Sequence, residues 1–243
     1  MSHYNEYRPG GFGYLPVVTK NIILINVVLF LATVVLRQSM GIDLNDHLSL
    51  HHHLAPNFKP HQFITYIFMH ANLTHIFFNM FGVFIFGQML EQVWGPKRYL
   101  IFYLLTGLGA AIVQYIIMNA EVQDELLKYN YFIDSPSTPT ADKIALIEQK
   151  FMYLNMKVIL GASGSLFGLL GGFGMLFPNR YIYLYFLFPV KAKWLVIGYG
   201  LMEVFSGLRN DPMDNVAHYA HIGGLVVGVI IVLIWRRDRS RFY

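Results

Sequence analysis

The chain has 243 residues, 55% of them hydrophobic and 13% charged, with a mean hydropathy of +0.45. Soluble domains run nearer a quarter charged, so the composition is that of an integral membrane protein whose apolar runs leave no room for a second, soluble domain. There is no cysteine, which excludes disulfides, thiol nucleophiles and thiolate metal sites, and the net charge of +4 acquires meaning only when divided between the two sides of a membrane.

Residues 1–16 read as an N-terminal cytoplasmic tail, too long and too weakly basic to resemble a cleavable signal. Residues 17–235 read as one membrane domain with six apolar runs: Asn21 to Leu36, Leu73 to Leu90, Tyr99 to Met118, 160–177, Ala192 to Phe205, and Val216 to Trp235. The fifth has an alternative, earlier start in the apolar Tyr181–Val190 stretch. Several runs fall short of the ~20 residues a lone helix needs to cross a bilayer. The expected fold class is nevertheless all-α and polytopic, a bundle of six transmembrane helices. Between the first two runs lies a polar, His-rich loop (37–62) carrying His51, His52 and His53, with His47 and His61 nearby.

An external insertion, 119–159, separates the third and fourth runs. Thr140 is placed to cap a helix with Ile144, Ile147, Phe151 and Leu154 on one face. Glu121–Tyr131 forms a second candidate helix, divided from it by the Ser135-Pro-Ser-Thr-Pro139 breaker. Both would lie outside, on the lipid interface or in a merely solvated loop. Residues 236–243 form a basic tail.

Charge sets the orientation. With both termini, the 91–98 turn and the 178–193 turn on one side, that side holds eleven Lys and Arg against three acids. The other side holds seven against ten, with Glu203 left inside the fifth span. Lys and Arg mark the cytoplasmic side, so both termini are expected inside, in a bacterial inner membrane.

The stretch 160–177 carries no charge, six glycines and two serines. Glycine is costly in a soluble helix but lets membrane helices approach closely. Ser163 lies between Gly161 and Gly164; alone, such a serine reads as a packing residue bonded to its own i−4 carbonyl. In this topology, however, spans two, four and six all enter from the outside. Their outer ends carry His75 and Asn79, Ser163, and His218 and His221. Polar groups at one depth on three apolar helices mark function. A nucleophilic serine needs a base and donors for the oxyanion. Either histidine of the sixth span suits the base by periodicity, His221 being the deeper by about 4.5 Å of helix rise. His75 and Asn79, at i and i+4, share one helix face.

Gly161-Ala-Ser-Gly164, Ala220-His221-Ile-Gly-Gly224 and His75-Ile-Phe-Phe-Asn79 together resemble the signatures of rhomboid intramembrane serine proteases, in that family's order. The resemblance implies a six-span rhomboid-like bundle and a Ser–His dyad with no acidic third member. It makes Ser163 the nucleophile and His221 the base, with His75, Asn79 and Gly161 stabilising the oxyanion. Phe167 would lie against the catalytic imidazole, and Gly224 and Gly228 would bring the sixth helix against the fourth, where Gly164 leaves room for the approach. It implies transmembrane protein substrates, a lipid setting, and no nucleic acid, cofactor or metal. The family's Trp-Arg pair is replaced here by His61-Gln62-Phe63, and the 119–159 loop is longer than in compact members.

Rival readings remain. Adjacent histidines in the 51–53 run cannot all ligate one ion well, and no His-Glu-x-x-His exists for a metalloprotease. His70 is expected to be a hydrogen-bonded structural residue, Glu91 to reach the Lys97/Arg98 turn, and Glu203 to be structural with no identified partner. The alternative from another class is an inactive rhomboid-like protein that binds membrane clients; a transporter would need a repeat and an acid relay that the sequence lacks.

Overall fold

A computed structural model describes residues 15–184, 187–209 and 216–237. Most of tail 1–16, most of tail 236–243, and Asp214 and Asn215 beside His218 lie outside the described residues.

The first span is α1 (Val17–Met40), closed by Gly41 in the left-handed conformation. Its N-terminus is held by an acid far away in sequence. Glu91 accepts from the Val18 and Thr19 N–H groups at 2.9 and 2.7 Å and from the Thr19 hydroxyl at 2.8 Å. A carboxylate on the first free N–H groups both caps a helix and complements its dipole. Glu91 is thus committed to α1, where the sequence placed it near Lys97 and Arg98.

The loop that follows holds α2 (Asn45–Leu48), β1 (Leu50–His51), α3 (Gln62–Thr65) and a 3₁₀ turn at Tyr66–Phe68. Its histidines go to separate structural tasks. His51 Nδ1 lies 3.0 Å from the Ser49 carbonyl, His52 Nε2 3.1 Å from Asn119 Oδ1, and His53 Nδ1 3.1 Å from the Tyr115 hydroxyl.

Next come α4 (Leu73–Gly82), a π-helical turn (Val83–Gly87) and α5 (Gln88–Asp134). The continuous run bends at Gly95, whose φ of 76° and ψ of 165° are non-helical and precede Pro96. This break separates the expected second and third spans. Beyond it α5 continues to Asp134, well past Met118, so Glu121–Tyr131 is not a separate helix but an extension of the third span.

The breaker at 135–139 holds, and α6 (Thr140–Met156) follows. Thr140 is the first helical residue rather than the cap; Pro139 occupies the cap position, and no side chain bonds there. Pro139 cannot donate, and its fixed φ directs the chain into the helix. On α6 Leu154 is buried, whereas Ile144, Ile147 and Phe151 stay exposed. A short β2 (Val158–Ile159) pairs antiparallel with β1 and tethers the first loop to the segment leading into α7 (Ser163–Leu176).

The stretch 181–191 corrects both the all-α expectation and the early start of the fifth span. It forms a hairpin of β3 (Tyr181–Leu184) and β4 (Phe188–Lys191), after which α8 (Ala192–Arg209) begins. Aromatic and β-branched residues favour that extended backbone. The last helix is α9 (His218–Arg237).

Among the described residues, three runs are long and apolar enough to cross a membrane: Val17–Met40, Leu73–Asp134 and His218–Arg236, with Ser163–Leu176 a shorter apolar helix. The chain is therefore a mostly helical integral membrane protein, and α7 lies at its centre, packed on α5, α8 and α9.

Glycine makes that packing possible. A Cβ on Gly168 would strike Thr106, one on Gly164 would strike Ala110 and one on Gly224 would strike the Gly164 carbonyl. At Gly224 backbone meets backbone directly, as in small-residue helix contacts within bilayers. At the basic end, Arg236 donates to the Met175 carbonyl at 2.6 Å and ties α9 to the end of α7.

Candidate active site

Gly161 and Ala162 deliver the chain into α7. Gly161 has φ of 122°, a conformation disfavoured for any residue with a side chain. A Cβ there would also lie 2.7 Å from His75 Nε2. Ser163 is the first residue of α7, so its side chain sits among N–H groups that have no intrahelical acceptor.

The Ser163 hydroxyl lies 2.9 Å from His221 Nε2 on α9. The imidazole stacks on the Phe167 ring, with centroids 4.3 Å apart and planes 6° from parallel. Phe167 stands one helical turn beyond Ser163, so a single helix supplies both the hydroxyl and the surface against which its partner lies. Close approach at Gly164 and Gly224 lets the two helices carry these groups into contact. His221 is only 8% exposed. Ser165 points elsewhere, its hydroxyl donating to the Tyr103 carbonyl at 3.0 Å.

His75 is placed by the cap of α4, where its N–H donates to the Asn72 side chain at 2.9 Å. Its Nδ1 stands 3.5 Å from the Ala71 N–H, an acceptor's position at the outer limit of hydrogen bonding. An acceptor at Nδ1 leaves the ring proton on Nε2, the nitrogen that faces Gly161. Asn79, one turn further along α4, is buried, and its Nδ2 has no partner among the described residues. Gly161 is different: its N–H donates to the Tyr66 carbonyl at 3.0 Å, which corrects its assignment to the oxyanion. The donors left at this helix start belong to Ser163 and the residues after it. Tyr66 was not foreseen, and its hydroxyl further anchors the turn to the Gly107 carbonyl at 2.7 Å.

His70 departs from expectation. It is 2% exposed and edge-on to His75 at 5.0 Å, and its ring approaches the Phe68 backbone without a hydrogen bond of good geometry.

Glu203 is the larger surprise. One of its oxygens lies 2.6 Å from His218 Nδ1 and 3.0 Å from His221 Nδ1. The only sequence signal was a lone acid in an apolar span. These three residues are also the group among those described that could hold a metal ion, with ligand atoms within 4.8 Å of one another. Ligands around a tetrahedral zinc at ~2.0–2.1 Å stand roughly 3.3 Å apart. The 2.6 Å spacing between Glu203 and His218 fits a shared proton better than an ion.

Comparison with known proteins agrees with this architecture. The Rhomboid domain family matches residues 57–238. Over 193 residues the chain is 30% identical to "RHOMBOID-like protein 12, mitochondrial" of Arabidopsis thaliana, covering 76% of this chain and 50% of that protein. It is 27% identical over 224 residues to "Rhomboid-like protein 11, chloroplastic" of the same plant, covering 80% and 61%. A candidate rhomboid protease of Bacillus subtilis (strain 168) is 26% identical over 182 residues, covering 74% and 69%. The chain spans about half the length of the first curated relatives it matches, 50% and 42% of two of them. The names of several relatives are mitochondrial or chloroplastic, so the expectation of a bacterial inner membrane finds no support. With a domain match over most of its length, and glycine-packed helices bringing Ser163 to His221, the chain belongs to the rhomboid family.

Proposed function

We propose that this protein is an intramembrane serine endopeptidase that cleaves single-span helices near the end opposite its Lys- and Arg-rich side. The observation that carries this reading is the 2.9 Å contact between Ser163 Oγ and His221 Nε2, made between two helices in an apolar setting. His221 accepts the serine proton as Oγ attacks the scissile carbonyl. The same proton then passes to the leaving amine, and water hydrolyses the acyl-enzyme by the reverse use of the base. The oxyanion is met by the N–H groups at the start of α7 and by His75 and Asn79. The break at Gly95, with the short helices α7 and α8, supports a count of six crossings in the 17–235 domain and both termini on the basic side.

Peptide bonds within a helix are shielded by i→i−4 bonding, so the substrate must unwind locally before a buried serine can reach it. Substrates are therefore single-span helices with Gly, Pro or polar residues near the cut. The test is incubation of purified protein with a single-span reporter in liposomes, alongside Ser163→Ala. Cleavage by wild type alone supports the protease. Tight reporter binding with no cleavage by either protein would identify a client-binding relative instead.

A further inference from the structure

Resting on that reading, we propose that Glu203 is the positioning residue for His221, an acidic third member behind the Ser163–His221 pair, clamped in place by His218. A carboxylate 6% exposed within an apolar helix is expensive unless it has partners. Glu203 has two on α9: His218 Nδ1 at 2.6 Å and His221 Nδ1 at 3.0 Å, both facing Oε2. His218 and His221 are three residues apart on one helix, so both rings reach the same acid from one face.

The consequence is a choice of tautomer. His221 can take the serine proton at Nε2 only if its neutral ring carries hydrogen on Nδ1. A carboxylate oxygen 3.0 Å from Nδ1 attracts an N–H there and repels a lone pair. The contact is oblique, since Nδ1 has no hydrogen bond of good geometry in the resting site. The directed bond goes to His218, which fixes the carboxylate while its charge still acts on His221. When His221 becomes imidazolium during attack, the same carboxylate stabilises the new positive charge. Phe167 holds one face of the ring, and Glu203 sets which nitrogen is basic.

The test uses full-length protein in detergent and a fluorophosphonate that acylates Ser163. Glu203→Gln keeps the shape and removes the charge. The maximal labelling rate should fall about 10²-fold, below the ~10⁴-fold lost when the in-line acid of a serine-protease triad is neutralised. The probe's half-saturating concentration and the melting temperature should stay near wild type, and Glu203→Asp should recover part of the rate. A merely structural Glu203 would instead lower the melting temperature and leave the rate per folded molecule unchanged, which overturns the proposal. Nitrogen-15 NMR of histidine-labelled wild type, assigned with His221→Ala, provides a second readout. Hydrogen on Nδ1 of His221 supports the proposal, and hydrogen on Nε2 overturns it even if no Glu203 variant folds. Absence of labelling at Ser163 in wild type would overturn the protease reading, while the tautomer would still decide the role of Glu203.

Discussion

Replacing Gly224 by Ala should disable the protein through geometry alone. A Cβ at Gly228 would lie 2.6 Å from the Gly168 carbonyl oxygen, and one at Gly224 would come still closer to that of Gly164. Comfortable carbon–oxygen contacts are about 3.3 Å or more, so the helices must part by roughly 0.7 Å at the first position and by more at the second. Both obstacles are backbone, and no side chain can swing away. A shift of about 1 Å carries the Ser163–His221 contact from 2.9 Å to roughly 3.9 Å, past any hydrogen bond. Misplacement on that scale costs about 10²-fold in rate, or ~2.7 kcal/mol. Overpacking should also destabilise the fold by about 1–3 kcal/mol. Gly198→Ala is the control, because nothing lies within 4 Å of its Cβ position. Reporter cleavage in liposomes and thermal melts would be measured on all three proteins. A folded Gly224→Ala protein cleaving within about threefold of wild type would mean that catalysis does not depend on this close helix contact.

His75→Ala and Asn79→Ala should each lower kcat by up to about 3–4 kcal/mol in barrier, less where the N–H groups of α7 compensate; a rise in KM alone would move them to substrate binding. Replacing Gly, Pro and polar residues near the cut by Leu should protect a single-span substrate, and faster cleavage would contradict the need for local unwinding. In the loop after α1, burial and the nearby His53 hold the His52 pKa below its ordinary value, against the opposing effect of the Asn119 bond. The unfolded chain therefore takes up that proton first, and stability should be lost as pH falls below about 6.5, the ordinary histidine value. His52→Gln should flatten this part of the melting profile; an unchanged slope would remove His52 from the account.

What the sequence revealed and what it hid divide by range. The glycines of 160–177 were legible from composition as helix-contact residues, whereas the place of Phe167 against the His221 ring came only through the family resemblance. His221 was separable from His218 by depth. The role of Glu91 was not legible, because its partners Val18 and Thr19 lie 73 and 72 residues away on another helix. Glu203 was hidden for the same reason, since it meets His218 across 15 residues and a helix–helix interface. The hairpin at 181–191 was overlooked because apolarity was read without its β-favouring aromatic and branched residues. Gly161 was misassigned because a glycine at a helix start has two uses, as a free donor or as a bent link. The Tyr66 carbonyl decides for the second.

Whether Ser163 is the nucleophile is decided by peptide mapping of the protein after reaction with a fluorophosphonate. A single adduct on Ser163 is predicted, present only in folded protein and absent from Ser163→Ala and His221→Ala. In reporter cleavage the double variant should be no worse than either single one, because the two residues act as a unit. An adduct on Ser165, or labelling that survives Ser163→Ala, would contradict the account.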